Sequence, residues 1–244
     1  MKCLILAAGY ATRLYPLTEN FPKPLLTVGD KTILDWLIND IDTLGVVNEY
    51  VVISNHKFYD HFNDWARNQT KKITVLDDGT DSNETRLGAV KDIQFAVDAL
   101  KISEDVLVIA GDNLLDFSLT DFIRYGMAKG TSCVMRYYEG DTVKLCKSGV
   151  LTLSESDLII EMQEKPLEPK SNWCCPPFYY YVKEDVLKIA NAIADGCHTD
   201  APGSLISWLC KKNFVNAMEM PGKRYDIGNL SSYNDVCQSY KGIK

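Results

Sequence analysis

No apolar run in this 244-residue sequence approaches the ~20 residues that a membrane-spanning helix requires. Residues 3–8 are apolar, but Gly9, Thr12 and Arg13 end the stretch, which reads as a buried first strand rather than a leader. Basic charge is also in short supply: 26 Lys and Arg against 33 Asp and Glu leave a net charge of −7. That balance disfavours a general nucleic-acid or anionic-membrane binder, so neither partner is expected. There is no repeat, no linker-like Gly/Ser/Pro tract and no clear boundary, which predicts a single domain over residues 1–244. Eight cysteines contain no Cys-x-x-Cys pair, and neither they nor His56, His61 and His198 show zinc spacing. Cys174 and Cys175 are neighbours, where a bridge is strained. Free thiols in a reducing, cytoplasmic setting are the expectation.

Two nucleotide motifs are missing as well. Only Gly9 stands in the first turn, so there is no G-x-G-x-x-G; Gly29-Asp30-Lys31-Thr32 lacks the upstream glycine of a phosphate-binding G-x-x-x-x-G-K-[ST] loop. A nicotinamide dehydrogenase and a P-loop NTPase both lose ground.

What is present is an alternation of short apolar runs with amphipathic stretches. Residues 2–6, 50–54, 73–76 and 105–110 read as strands, and 32–44, 58–67 and 87–100 as helices. This order predicts an α/β fold with a Rossmann-like, mixed but mainly parallel sheet flanked by helices. The second half is less regular. Strands are expected at 133–138, 150–153, 158–162, 178–182 and 214–218, some of them antiparallel. Helices are expected at 184–194, closed by Gly196, at 204–212, with Asp200 or Ser204 as cap, and at 231–240.

Ligands of open parallel sheets bind at the carboxyl ends of strands, so the residues that follow each strand matter most. After the first strand come Ala7, Ala8, Gly9 and Ala11, small enough for close backbone approach. Arg13 then brings forked donors suited to phosphate oxygens, and Lys23 sits between Pro22 and Pro24, which restrict its backbone. A small-residue turn, an arginine and a stiffly held lysine form a phosphate-binding set.

Residues 6–18, LAAGYATRLYPLT, followed by FPKPLL, resemble the signature of the sugar-1-phosphate nucleotidyltransferases. Gly111-Asp112-Asn113, Glu164-Lys165-Pro166 and Tyr225-Asp226-Ile227-Gly228 match further family motifs in order. The resemblance implies an enzyme in which the phosphate of a sugar 1-phosphate attacks the α-phosphorus of an NTP, giving an NDP-sugar and pyrophosphate. It implies Arg13 and Lys23 as catalytic cations; Leu6, Ala8, Gly9, Gly88 and Asp112 at the nucleotide; Glu164, Lys165 and Tyr179 at the acceptor; and Asp112 and Asp226 as ligands of Mg²⁺. The chain is short for the family, with no room for a C-terminal β-helix, so no acetyltransferase activity is expected. A homo-oligomer stays open.

The pattern breaks in three places. Ala11 replaces a second glycine; alanine is still small and is expected to be tolerated, at a cost of about 1 kcal/mol if the position needs positive φ. Arg86 stands in the base-recognition segment, where it can pair with the preceding acidic loop or reach a phosphate or base. Pro177 replaces a glycine in the sugar-lining strand and removes an N–H donor, beside the aromatics Trp173 and 178–181. Those aromatics read as core packing at alternate positions or as a wall for the acceptor. Two other functions therefore stay in view: a cytidylyltransferase acting on phosphocholine or another alcohol phosphate, and a non-catalytic nucleotide-sugar-binding regulator. Arg13, Lys23, Asp112 and Asp226 are all present, which argues against the regulator.

Overall fold

Strands covered on both faces are spelled by unbroken apolar runs. In the computed structural model, which describes residues 1–243, such runs form parallel neighbours at Lys2–Leu6 and Glu49–Ser54, and the half-buried Ile73–Asp77 pairs parallel to the latter. The chain divides into two compact units: Met1–Arg86 with Ala110–Asp121 and Pro221–Lys244, and Leu87–Ile109 with Phe122–Met220.

In the first unit the register runs from Lys2 opposite Glu49 to Leu6 opposite Ile53, and from Tyr50 opposite Ile73 to Ser54 opposite Asp77. Helix Ile33–Asp42 connects the first two strands and buries Ile33, Leu34, Leu37, Ile38 and Ile41, one face of a 3.6-residue period. Thr32 and Asp35 cap it reciprocally, at 3.0 and 3.2 Å, which stabilises the helix by ~1 kcal/mol. Helix Tyr59–Arg67 makes the next connection. At the start of the sheet the nearly buried Glu49 carboxylate meets Lys2 Nζ, accepts from Thr74 Oγ1 at 2.7 Å, and has Lys72 Nζ at 3.3 Å.

Leu14, Leu26, Val28, Ile33, Leu114, Ile227 and Val236 form one apolar cluster in this unit, packed by Trp36, Tyr225, Tyr233 and Tyr240. Four segments far apart in sequence are thus fixed by burial of one set of side chains. Each carries a motif residue beside its apolar anchor. The terminal helix Leu230–Ser239 is capped by Asn229, so Asp226 has no capping task there.

In the second unit, Phe178–Tyr181 lies between Val106–Ala110 and Ser132–Tyr138, antiparallel to both. Ser132–Tyr138 continues parallel to Val215–Glu219 and antiparallel to Trp173–Cys175; Gly149–Leu153 and Ile159–Glu164 follow, antiparallel. The aromatic run is core. Tyr179 and Tyr181 stack on one face with centroids 5.9 Å apart, and Tyr180 points to the other, where its hydroxyl donates to Asp105 at 2.6 Å. A Cβ at Gly126 would stand within 2.5–2.8 Å of the Tyr180 ring, so helix Thr120–Lys129 approaches this face closely only because that residue is glycine.

Two local expectations change. The helix expected at 184–194 is two, Lys183–Val186 and Ile189–Ala194, because the turn tightens at Lys188, whose N–H reaches Asp185 O, three residues back. The helix expected from Ser204 starts at Gly203, with Pro202 in the cap position and no side-chain cap, so neither Asp200 nor Ser204 caps it. Gly203 has no room for a side chain, because Met162 and Glu164 occupy that space. Two-residue ribbons, Thr27–Val28 with Lys31–Thr32 and Leu114–Leu115 with Arg224–Tyr225, are too short to show any periodicity.

Candidate active site

The first turn is built as a cradle. Ala7 and Ala8 are buried, the Ala7 N–H reaches Ile53 O at 2.9 Å, and Asn55 Nδ2 donates to Ala8 O at 2.9 Å. Gly9 is exposed, with open space where a Cβ would stand. Leu6, at the strand end, accepts the Gly111 N–H at 3.0 Å. Ala11 adopts φ 47°, the left-handed region, so the strain expected for alanine is present. Its carbonyl accepts from the Leu14 N–H and from Thr18 Oγ1, at 2.9 and 2.8 Å, and these bonds hold it there. Arg13 follows in the single turn Thr12–Leu14. Leu14 points into the apolar cluster, while Arg13 is exposed, with no ion-pair partner among the described residues.

Lys23 begins a second single turn, Lys23–Leu25, entered through extended Pro22. It is only 8% exposed, and its Nζ donates to Asp112 Oδ2 at 2.8 Å. Asp112 lies in the turn after Val106–Ala110. A Cβ at Gly111 would stand 2.9 Å from Ile5, so glycine lets this turn sit on the first strand. Asn113 is buried; its Nδ2 donates to Ala110 O and Asp112 Oδ1, and its Oδ1 accepts from Arg224 at 3.1 Å. Burial pushes the Asp112 pKa up, but the adjoining Lys23 and the charge of Arg224 outweigh it and hold the carboxyl below its ordinary value.

Leu114 pairs with Tyr225, so Asn113 and Asp226 continue from the same end of this ribbon, and Asp226 is exposed there. Among the described residues there is no cluster of three or more side chains able to hold a metal by themselves. Two carboxylates on adjoining segments instead suit Mg²⁺, which keeps water and takes one or two carboxylates together with substrate phosphates. The residues fit. Sequence reading missed Asn113 as a bonding partner and Arg224 altogether. The available signal was spacing, because residues 224 and 226 share one face of an extended segment.

In the second unit Glu164 ends its strand with the carboxylate turned inward, into space left by Gly149 and Gly203. Burial raises its pKa; Lys165 lowers it and Asp200 adds to the rise. Lys165 is exposed at φ 46°, held by its N–H to Ser148 O at 3.0 Å. Tyr179 is 2% exposed and lies within the sheet. Gly88 has φ 90°, and the carbonyl of Thr199 and Cα of Asp200 fill the place of a Cβ; the Ala89 and Val90 N–H groups bond those same residues' carbonyls at 3.1 and 3.0 Å. Its glycine therefore serves chain packing. Arg86 turns back on Asn83, at 2.9 Å to Oδ1.

Residues 2–242 match the family model of nucleotidyl transferases. The bifunctional protein GlmU of Methanococcus aeolicus is 34% identical over 93% of this chain and 51% of its own length, so the chain spans about half of that relative. The UTP–glucose-1-phosphate uridylyltransferase AglF of Haloferax volcanii is 27% identical over 93% of this chain and 91% of its own. Among solved structures, UDP-glucose pyrophosphorylase with bound UDP-glucose superposes with a TM-score of 0.79, at 20% identity, over 98% of this chain and 97% of its own; at that identity the likeness concerns the fold, the helix-flanked mixed sheet expected from the strand–helix order. With a family match that spans nearly the whole sequence and a relative 34% identical along 93% of it, the chain belongs to the nucleotidyl transferase family.

Proposed function

We propose that this protein transfers a nucleotidyl group from an NTP to a sugar 1-phosphate. The observation that carries the reading is the linked set Lys23–Asp112–Asn113–Arg224, which places two cations and a carboxylate on one glycine turn. A phosphate oxygen of the acceptor bonds to the α-phosphorus, the bond from that phosphorus to the β-phosphate oxygen breaks, and pyrophosphate leaves with the electron pair. The acceptor phosphate is already ionised near pH 7, so the residues supply position and charge rather than a general base. In this reading Arg13, exposed and without an ion-pair partner among the described residues, takes the β- and γ-phosphates. Lys23 neutralises charge at the α-phosphate, and the backbone at Ala8 and Gly9 lets the nucleotide approach. Lys165 grips the acceptor phosphate, and Glu164 accepts from acceptor hydroxyls. Asp112 and Asp226 would hold Mg²⁺ with the phosphates, and the ion would supply charge neutralisation for the leaving pyrophosphate.

Eight free cysteines are described, which supports a reducing compartment, and we place the reaction in the cytoplasm on that ground. No described helix is long and apolar enough to cross a membrane. The test is pyrophosphate release with Mg²⁺, crossing the common NTPs with a panel of sugar 1-phosphates plus phosphocholine and glycerol phosphate. Release with one NTP and one sugar 1-phosphate is the expected result. Release only with phosphocholine or glycerol phosphate would move the acceptor class, and no release from any pair, with nucleotide bound, would contradict transfer.

A further inference from the structure

Both oxygens of the Asp112 carboxylate are engaged by side chains. Oδ2 accepts from Lys23 Nζ at 2.8 Å and Oδ1 from Asn113 Nδ2 at 3.1 Å. The carboxylate is half-exposed, whereas Lys23 is nearly buried. Pro22 and Pro24 fix the backbone around Lys23, and the bonds of Leu25 and Leu26 back to residues 22 and 23 close the turn. What remains free to rearrange is the lysine side chain, with its rotatable four-carbon stem. A divalent cation on the same carboxylate would meet an ammonium already seated there, and like charges at that separation repel strongly.

Resting on the assignment of Asp112 as a metal ligand, we infer that Lys23 is the resident counter-ion of Asp112 and blocks metal capture until a polyphosphate draws it away. The polyanion of an incoming NTP offers Lys23 a new partner and leaves the carboxylate open. Nucleotide and metal then favour each other's binding, with equal coupling in both directions. Lys23 thus has a duty before transfer as well as during it. Arg224, which bonds Asn113 rather than an Asp112 oxygen, stays in place and keeps the turn fixed.

The probe is Mn²⁺ alone, with the free ion followed by electron paramagnetic resonance and no nucleotide present. Lys23→Met, close in length and uncharged, is expected to bind Mn²⁺ about tenfold or more tightly than the unaltered chain, as loss of a directly paired competing charge implies. Lys23→Gln gives a second reading should the first variant fold poorly, and melting curves show which is intact. In the Lys23→Met, Asp112→Asn double variant the gain should vanish. Mn²⁺ affinity in both intact single variants within twofold of the parent, or weaker, would overturn the inference while leaving the site reading in place. A double variant as tight as Lys23→Met would show instead that Asp112 is not the metal's carboxylate, and the site reading itself would fall.

Discussion

Ala11 and Lys165 are non-glycine residues in the left-handed region, at φ 47° and 46°, and each leads into a motif segment. Each is over-determined by bonds: the Ala11 carbonyl accepts two, and the Lys165 N–H is held by Ser148 O. Strain of this kind persists where the surroundings insist on it. Replacing Ala11 by glycine removes the Cβ conflict, and Ala11→Gly should raise stability by about 1 kcal/mol in thermal or denaturant unfolding. A lower melting temperature would show that alanine is at ease there. Lys165 is exposed, while the Glu164 carboxylate turns inward beside Gly149 and Gly203. Lys165→Ala should raise the KM for the phosphorylated acceptor by about tenfold or more, with the KM for NTP nearly unchanged. A change confined to NTP would assign Lys165 to the other substrate.

At the scale of elements, the parallel strands of the first unit are fastened at their start by Glu49, which gathers Lys2, Lys72 and Thr74. Burial pushes its pKa up, but the bonds from those three partners prevail and the folded value lies below the ordinary 4.5. A group depressed in this way stabilises the fold above its unfolded pKa and stops doing so as pH falls through the folded one. Glu49→Gln should therefore lower stability by about 2 kcal/mol near neutral pH, because Lys2 loses its carboxylate partner. The gap between variant and parent should narrow as pH drops below 4.5. An equal gap at pH 7 and pH 3 in paired unfolding curves would mean that the charge contributes nothing. The rest of this unit's sheet is held by apolar strand faces such as Cys3, Leu4 and Ile5, all fully buried, so the charged cluster adds to stability rather than creating the sheet.

For the whole molecule, what could be read in advance tracks the length of each signal. Runs such as residues 49–54 and the capped, amphipathic 33–42 carry enough period to be placed within a residue or two. The ribbon Leu114–Leu115 with Arg224–Tyr225 carries none, yet it joins the segment of Asp112 to that of Asp226. The spacing of residues 224 and 226 puts Arg224 on the face of Asp226, but it is the pairing that brings it to Asn113. Helix Gly203–Leu209 starts without a side-chain cap, so no local cap residue marks its beginning in the sequence. At Gly88 the backbone of residues 199–200 stands where a Cβ would be, a requirement for glycine that local sequence does not display. Tyr179 is 2% exposed, within the sheet. Among the charged residues, Lys23 and Asp112 meet directly, and Arg13 is exposed with no ion-pair partner among the described residues.

The central claim is the path of the bond between acceptor phosphate and α-phosphorus. It is tested most directly by supplying the active sugar 1-phosphate with ¹⁸O in its phosphate oxygens and locating the label by ³¹P nuclear magnetic resonance and mass spectrometry. The account predicts that all of the label is kept in the NDP-sugar, with one labelled oxygen bridging the two phosphorus atoms, and that the pyrophosphate is unlabelled. Label in the released pyrophosphate, or orthophosphate as the product, would contradict it.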